Sequence, residues 1–136
     1  MGIVNINSEE KYQYYLRKYP DNMVMYTGPG CPACQVIDPT FRMLADQNLR
    51  KIFFVVNCDM VKNHSPYLSQ LIALPTFTKN RGGVQLDNFT GADINRLHNM
   101  MNLWWVSLFF ICYCSNCVYL YLIRQKNCFE IYVFYQ

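Results

Sequence analysis

The first third of the chain alternates between extended and helical hydrophobic patterns. The apolar run Ile3–Ile6 predicts a strand, and Asn7 and Glu10 have the spacing of a helix N-cap and its partner in a capping box. Four apolar or aromatic side chains then recur at helical spacing: Tyr12, Tyr15, Leu16 and Tyr19. Because Pro20 cannot continue a helix, we expect the helix to end there and a buried strand to follow at Met23–Tyr26.

A second helix is predicted from Cys31 onward. Its expected buried face consists of Val36, Ile37, Phe41, Leu44 and Ala45. Pro39 lies within this helix and should kink it. The run Ile52–Asn57 is rich in β-branched and aromatic residues, which is typical of a central strand covered on both faces. Strands that alternate with helices in this way favour parallel pairing with helical crossovers.

The pattern then predicts a weaker helix, a hairpin and a last helix. Ser65 is the candidate N-cap of the weaker helix, whose expected buried side is Leu68, Leu71 and Ile72. The stretches TFTK and VQLDNF flank the turn NRGG, which predicts a β-hairpin. The last helix begins near Ala92 and should bury Ile94, Leu97 and Met101. The whole order predicts an α/β fold with a central mixed sheet flanked by helices.

The composition shifts after Asn102. The 21 residues Leu103–Ile123 contain no charged side chain, and aromatic residues lie near both ends. This length suits a membrane-spanning segment, whereas Ser115 and Asn116 in its middle and its aromatic content suit strands. An extension outside the domain, and a segment packed against it, stay open as well. We predict a domain over residues 1–103 and a hydrophobic extension over 104–136, with membrane association through 103–123 as one hypothesis.

Charge and cysteine content narrow the function classes. The formal net charge of the 136 residues is +3, and no cluster of Lys and Arg is interleaved with aromatic residues, so no nucleic-acid surface is expected. The seven cysteines are irregularly spaced, unlike a secreted disulfide framework. The amino terminus has no basic run leading into an apolar stretch, so we expect no cleaved signal peptide and, by default, a cytoplasmic domain.

Cys31 and Cys34 are the candidate chemical groups. Two cysteines separated by two residues suit either half of a zinc site or a redox dithiol. A zinc site needs a second ligand pair, and Cys58 and His64 are poorly spaced for it, so no metal is expected. The pair follows a predicted strand and opens a predicted helix, where unpaired backbone N–H groups stabilise a thiolate.

Five landmarks resemble those of the thioredoxin family over residues 1 to about 103. They are Cys31-Pro32-Ala33-Cys34, Pro39, Asn57-Cys58-Asp59, Leu74-Pro75-Thr76 and Phe89-Thr90-Gly91-Ala92. The resemblance implies a thioredoxin fold and a thiol–disulfide oxidoreductase that exchanges disulfides with proteins and contributes to cell redox homeostasis. It implies no cofactor, and it implies protein disulfides and a reductase as partners.

The resemblance also implies roles for individual residues. Cys31 would be the nucleophile, and Cys34 the resolving thiol that attacks the mixed disulfide. Pro75 would be cis and lie across from Cys31, where the backbone of Leu74 would hydrogen-bond an extended substrate segment. The other expected substrate-binding residues are Gly30, Pro32, Ala33 and Gly91.

Three residues near the dithiol depart from the family pattern. Gly30 stands where the family usually has Trp, and Met25 and Val55 stand where it has a buried Asp and commonly a Lys. Two apolar residues leave no unpaired buried charge, but no carboxylate is left to take a proton from Cys34, so we expect slow resolution of mixed disulfides. The departures support a second hypothesis, a thioredoxin-fold binding or adaptor module with a weak or vestigial dithiol.

Overall fold

The computed structural model describes residues 2–61 and 73–102, together with the backbone of strands at 109–114, 117–124 and 127–131. The chain divides into two compact units, Met1–Leu97 and His98–Gln136. The predicted helix with Ser65 as its N-cap lies outside the described residues.

The first unit has its elements in the predicted order. The described elements are β1 (Ile3–Ile6), α1 (Glu9–Lys18), β2 (Asn22–Thr27), α2 (Pro32–Gln47), β3 (Ile52–Asn57), α3 (Cys58–Val61), β4 (Thr76–Arg81) and β5 (Val84–Thr90), followed by α4 (Ile94–Asn102), which crosses the boundary between the units. The strands form one sheet in the order β1-β3-β2-β4-β5. Strands β1, β3 and β2 are parallel, whereas β4 and β5 are antiparallel. The predicted mixed sheet is confirmed.

Helices α1 and α3 bury side chains on one face of this sheet. Tyr12 of α1 and Cys58 and Val61 of α3 belong to one buried cluster, whose other members are Ile6, Val24, Tyr26, Ile52, Phe54 and Val56. The ring of Tyr15 lies 5.8 Å from that of Phe54. The tyrosine stripe of α1 is therefore part of the core, as its spacing predicted.

Helix α2 packs on the opposite face. The ring of Phe41 lies 5.7 Å from the rings of both Phe53 and Phe77. Helix α2 continues through Pro39 to Gln47, and its buried side chains are Cys34, Ile37, Phe41, Leu44 and Ala45. The prediction for Val36 is wrong, because these residues form one stripe and position 36 lies on the other side of the helix, where it is 67% exposed.

Two further predictions at helix ends are wrong. Ser8, not Asn7, is the N-cap of α1, and its side chain accepts a hydrogen bond from the Lys11 N–H at 3.4 Å. In α4, Leu97 and Met101 are buried as expected, with Met100 as the third buried side chain, but Ile94 is exposed. Ile94 is the first residue of the helix, and Arg96 covers the nearby Phe89 ring instead, at 5.3 Å.

Hydrogen bonds tie the loop before β2 to the turn of the β4–β5 hairpin. Asn22 is buried, donates to the Tyr19 carbonyl at 2.7 Å, and accepts from the Asn80 side-chain amide at 2.7 Å. The N–H of Gly82 donates to the Asp21 carboxylate at 2.7 Å, and the N–H of Gly83 donates to the Pro20 carbonyl at 3.1 Å. We call these interactions the hairpin clamp.

The second unit contains a three-stranded antiparallel sheet in the order β6 (Phe109–Cys114), β7 (Cys117–Arg124) and β8 (Asn127–Ile131). The candidate spanning segment 103–123 is thus described in part, and its described parts are strands. Among the described residues, no helix has the length and apolar character needed to cross a bilayer. The domain boundary at residue 103 stays a prediction.

Candidate functional site

The loops that carry the predicted site residues lie at one edge of the sheet. Strands β2 and β3 are parallel and in register, with Thr27 opposite Asn57, so their carboxyl ends meet at this edge. Thr76, the first residue of β4, pairs with Tyr26 and also with Thr90 at the end of β5. The loop after β2, the loop before β4 and the residue after β5 are therefore brought together.

The two cysteines of the first loop form a disulfide at the start of α2. Their Cα atoms are 5.3 Å apart. Cys31 is the N-cap of the helix, and its Sγ accepts a hydrogen bond from the Cys34 N–H at 3.2 Å. Pro32 occupies the first helical position, where its missing N–H leaves no donor unsatisfied. Cys31 is half-buried and Cys34 is only 3% exposed, so Cys31 is the cysteine open to a substrate.

This geometry favours nucleophilic chemistry at Cys31. The N–H groups of the first turn and the positive end of the helix dipole point towards its sulfur, and both stabilise a thiolate over a thiol. Cys34 lies one helical turn further on and has already formed the bond to Cys31 that a resolving thiol would form. The arrangement can therefore cycle between dithiol and disulfide.

The loop before β4 is fixed to the end of β5. The Leu74–Pro75 peptide bond is cis, as predicted. The Pro75 carbonyl accepts a hydrogen bond from the Gly91 N–H at 2.9 Å. The Thr76 hydroxyl donates to the Ala73 carbonyl at 2.8 Å and lies 3.0 Å from the Thr90 hydroxyl. Gly91 therefore holds the proline loop in place, as well as being a candidate substrate contact.

The dithiol loop and the proline loop meet at a contact that the sequence did not reveal. A Cβ atom built on Gly28 would lie 2.9 Å from Cδ1 of Leu74. The two residues are 46 positions apart, and neither the hydrophobic pattern nor a motif connects them. This contact brings Leu74 beside the segment that leads to Cys31.

Gly30 differs from Gly28 in its backbone conformation. Its φ is +71°, in the left-handed region, and a Cβ atom there would meet nothing within 4 Å. A larger residue at position 30 would be strained by its backbone but not by its neighbours. Gly30 and Pro32 are exposed and Ala33 is half-buried, so the three residues flank Cys31 at the surface.

The layer of the sheet below α2 is apolar where Met25 and Val55 lie. These two residues are partners on adjacent strands, and both are buried. Met25 also pairs with Phe77 on its other side. Cys34 belongs to the stripe of α2 that covers this face of the sheet. Within the described ranges the buried polar side chains include no carboxylate, so none of them is an acid that could take a proton from Cys34.

The alternative of a zinc site finds no ligand set in the described part of the chain. No group of three or more His, Cys, Asp or Glu side chains that could hold a metal occurs there. Cys58 is buried in the core cluster with α1 and α3, as expected for a packing residue. His64 lies outside the described residues.

The sheet order, the disulfide-forming pair at the start of α2 and the cis-proline loop beside it define a redox protein of the thioredoxin fold. The family model for thioredoxin matches residues 3–103. The chain is 32% identical over 96 residues to putative thioredoxin-5 of Dictyostelium discoideum, covering 69% of this chain and 90% of that protein. It is 31% identical over 99 residues to mitochondrial thioredoxin-2 of Schizosaccharomyces pombe, covering 71% and 74% of the two chains.

Solved structures agree on the fold. The chain matches a poplar thioredoxin h with a TM-score of 0.71 at 24% identity, covering 79% of this chain and all of that one. It matches a Schistosoma mansoni thioredoxin with a TM-score of 0.68 at 20% identity, covering 76% of this chain and 95% of that one. The chain belongs to the thioredoxin family.

Proposed function

We propose that the protein is a thiol–disulfide oxidoreductase that exchanges disulfides with protein substrates and thereby contributes to cell redox homeostasis. The supporting observation is the position of Cys31 as the N-cap of α2, with its sulfur accepting the Cys34 N–H and bonded to Cys34. A thiolate at Cys31 is the attacking species, and the half-buried position of this residue lets a substrate reach it.

The proposed reaction has two exchange steps. The Cys31 thiolate attacks one sulfur of a substrate disulfide, whose other sulfur leaves as a thiolate. The Cys34 thiol loses its proton and attacks the Cys31 sulfur, which releases the second substrate thiolate. Two electrons have then passed to the substrate, and the Cys31–Cys34 disulfide has formed. A reductase or another dithiol restores the reduced pair.

The substrate would lie between the dithiol loop and the proline loop. An extended segment along Leu74 can form hydrogen bonds with the backbone of that residue. Pro75 would shape the groove opposite Cys31, and Gly30, Pro32, Ala33 and Gly91 would provide its remaining surface. The absence of side chains at Gly30 and Gly91 leaves the backbone open to close approach.

Reduction of insulin disulfides by dithiothreitol tests the proposal. We expect the wild-type protein to accelerate the reaction and Cys31→Ser to abolish the acceleration. Cys58→Ala is the matched control, because it removes a buried thiol from the core and leaves the dithiol intact. Equal rates for the wild type and Cys31→Ser would refute an enzymatic role.

Cys34→Ser separates the two proposed steps. This variant keeps the nucleophile but cannot resolve the mixed disulfide, so we expect a covalent adduct between Cys31 and the substrate to accumulate. Non-reducing electrophoresis and mass spectrometry detect the adduct. Unimpaired turnover by Cys34→Ser would show that another group resolves the intermediate.

A binding or adaptor module is the second candidate function. The apolar pair Met25 and Val55 and the absence of a side chain at Gly30 favour it, because they leave the dithiol without a buried base and without a flat apolar neighbour. The rate of alkylation of Cys31 across pH distinguishes the two. An apparent pKa near the ordinary thiol value of about 8.5 favours the adaptor, and a clearly lower pKa favours the oxidoreductase.

A further inference from the structure

Gly28 lies in the loop between β2 and α2, and its backbone does not require glycine. Positive φ angles occur at Gly30, Gly82, Gly83 and Gly91, but not at Gly28. The requirement at Gly28 is one of space. A Cβ atom there would lie 2.9 Å from Cδ1 of Leu74, whereas carbon atoms in contact are normally about 3.5 to 4.0 Å apart. The end of the Leu74 side chain occupies the space that a larger residue would need.

Hydrogen bonds on either side hold the backbone of Leu74 in place, so an added group at position 28 must be accommodated by the Leu74 side chain. Its backbone lies between two fixed points, the Pro75 carbonyl bonded to Gly91 and the Ala73 carbonyl bonded to the Thr76 hydroxyl. Its side chain is half-buried and packs against the core cluster under α1 and α3. An added methyl group at position 28 must therefore displace the end of the Leu74 side chain, which changes the packing between the two loops that Leu74 now joins.

We propose that Gly28 is a positioning residue for disulfide exchange, because its missing side chain lets Leu74 pack against the dithiol loop and sets the separation between that loop and the proline loop. This inference rests on the proposed function, since the separation matters only if a substrate lies between the loops. A groove of fixed width fits one extended polypeptide segment, with its disulfide at Cys31 and its backbone along Leu74.

The proposal predicts different effects on large and small substrates. A protein disulfide must contact both loops, so a change in the packing between them weakens its binding. A small aromatic disulfide such as dithiobis(nitrobenzoate) needs access to Cys31 alone, and Gly28 lies three residues before this N-cap, outside α2. The groove width should therefore affect KM for insulin and leave the reaction of Cys31 with the small disulfide unchanged.

Gly28→Ala tests this difference. We expect the KM for insulin to rise roughly tenfold, which corresponds to a repacking cost of about 1.4 kcal/mol at the overfilled contact. We expect kcat and the rate with dithiobis(nitrobenzoate) to change little. Gly2→Ala is the matched control, because a Cβ atom there meets nothing within 4 Å. An unchanged KM in Gly28→Ala would overturn the proposal, and so would an equal loss with both substrates.

Rescue separates positioning from general damage. Leu74→Val removes the Cδ1 atom that the new methyl group would meet, so the double variant Gly28→Ala/Leu74→Val should recover a KM close to that of Leu74→Val alone. A double variant as impaired as Gly28→Ala would contradict the steric argument. If Gly28→Ala does not fold, the double variant provides the test, because Leu74→Val relieves the clash. The double variant should then fold and reduce insulin with a KM close to that of Leu74→Val alone, and a double variant that also fails to fold would overturn the proposal.

The failure of this inference can be distinguished from that of the proposed function. An inactive wild type, or activity that survives Cys31→Ser, contradicts the oxidoreductase itself. An active wild type with Gly28→Ala kinetics identical to its own contradicts only the role of Gly28. Circular dichroism and thermal unfolding of each variant show whether a kinetic change reflects the folded protein.

Discussion

Loops meet at both ends of the five-stranded sheet, and different kinds of interaction join them at the two ends. At the amino end of β2, the hairpin clamp joins its two loops through hydrogen bonds from Asn80, Gly82 and Gly83. At the carboxyl end, the described contact between the dithiol loop and the proline loop is the packing of Leu74 on Gly28. Directional hydrogen bonds connect the loops at the amino end, whereas at the carboxyl end the dithiol loop meets the proline loop through the packing of two residues.

The difference suits the proposed function of the carboxyl end. Hydrogen bonds between the two loops there would occupy the backbone groups that a substrate segment needs. A steric contact fixes the distance between the loops and leaves those groups to the substrate. The hairpin clamp has no such requirement and can use every donor and acceptor for stability. We therefore expect changes at the amino end to alter stability, and changes at the carboxyl end to alter activity as well.

Met25→Asp should have the largest effect on stability. The residues directly opposite this carboxylate on the adjacent strands are the apolar Val55 and Phe77, and an uncompensated buried charge costs about 3 to 5 kcal/mol. Urea unfolding at pH 7 measures the loss. Met25→Leu is the control and should cost less than about 1.5 kcal/mol. Equal stability of the two variants would show that the carboxylate is solvated, so the layer below α2 is accessible to water.

Met25→Asp also tests whether a buried carboxylate speeds the step in which Cys34 resolves the mixed disulfide. A carboxylate near Cys34 can accept its proton, so the folded fraction of Met25→Asp should resolve mixed disulfides faster than the wild type. Stopped-flow mixing with a preformed mixed disulfide measures this step. A slower or equal rate would mean that loss of the proton from Cys34 does not limit turnover.

Asn22→Ala tests the amino end of the sheet, and we expect it to lower the stability of the protein without changing its activity. The buried Asn22 side chain bonds to Tyr19 and Asn80, and the loss of both hydrogen bonds should cost about 1 to 3 kcal/mol. Activity per folded molecule should not change, since Asn22 lies at the end opposite the dithiol. Asn95→Ala, an exposed position on α4, is the control with little expected loss. A clear change in insulin KM for Asn22→Ala would contradict the division between the two ends.

The variants Gly30→Ala and Gly83→Ala place the same substitution at the two ends of the sheet, so their effects on stability and activity can be compared directly. Both glycines have left-handed backbones and open space around a Cβ atom, so each substitution should cost about 1 kcal/mol of stability through backbone strain. Only Gly30 lies beside Cys31, so only Gly30→Ala should alter insulin reduction. If both variants change activity equally, the strain acts through global stability and not through the site.

The sequence predicted the fold well where hydrophobic runs were continuous. The strand at Ile52–Asn57 has the predicted bounds because both of its faces are covered, so every position before the last one, Asn57, is apolar. Predictions at helix surfaces were weaker. Val36 is adjacent to Ile37 in sequence, but it lies off the helical stripe that packs on Phe53 and Phe77, so Ile37 is buried and Val36 is exposed.

The site was predictable where a motif is local and not where it depends on tertiary contact. The dithiol and the cis bond at Pro75 follow from short motifs, and the structure places both as expected. The contact between Gly28 and Leu74 joins two loops through the end of one side chain, and no periodicity indicates such a contact. Asn22 and Lys79 are polar residues at buried positions, whose burial depends on the hairpin that folds against β2.

Lys79→Met should have the smallest effect, and one that depends on pH. Lys79 is buried beside Met23, and this burial lowers the pKa of its amine below 10.5, although Asp87 opposes the shift and Lys51 and Arg81 add to it. The folded protein therefore releases this proton before the unfolded chain does. At neutral pH both states are protonated, and the fold bears the full cost of a buried charge, so Lys79→Met should be more stable than the wild type.

The advantage of Lys79→Met should shrink as the pH rises through the folded pKa towards 10.5, because the wild-type amine becomes neutral in the fold. Urea unfolding of both proteins at neutral and alkaline pH measures this change. Lys79→Arg is the matched control, since a guanidinium stays charged over this range and gains no stability from it. A difference between Lys79→Met and the wild type that stays constant with pH would mean that the amine reaches water at this end of the sheet. The contrast between an amino end whose loops are joined by hydrogen bonds and a carboxyl end whose loops meet through packing would then need a different explanation.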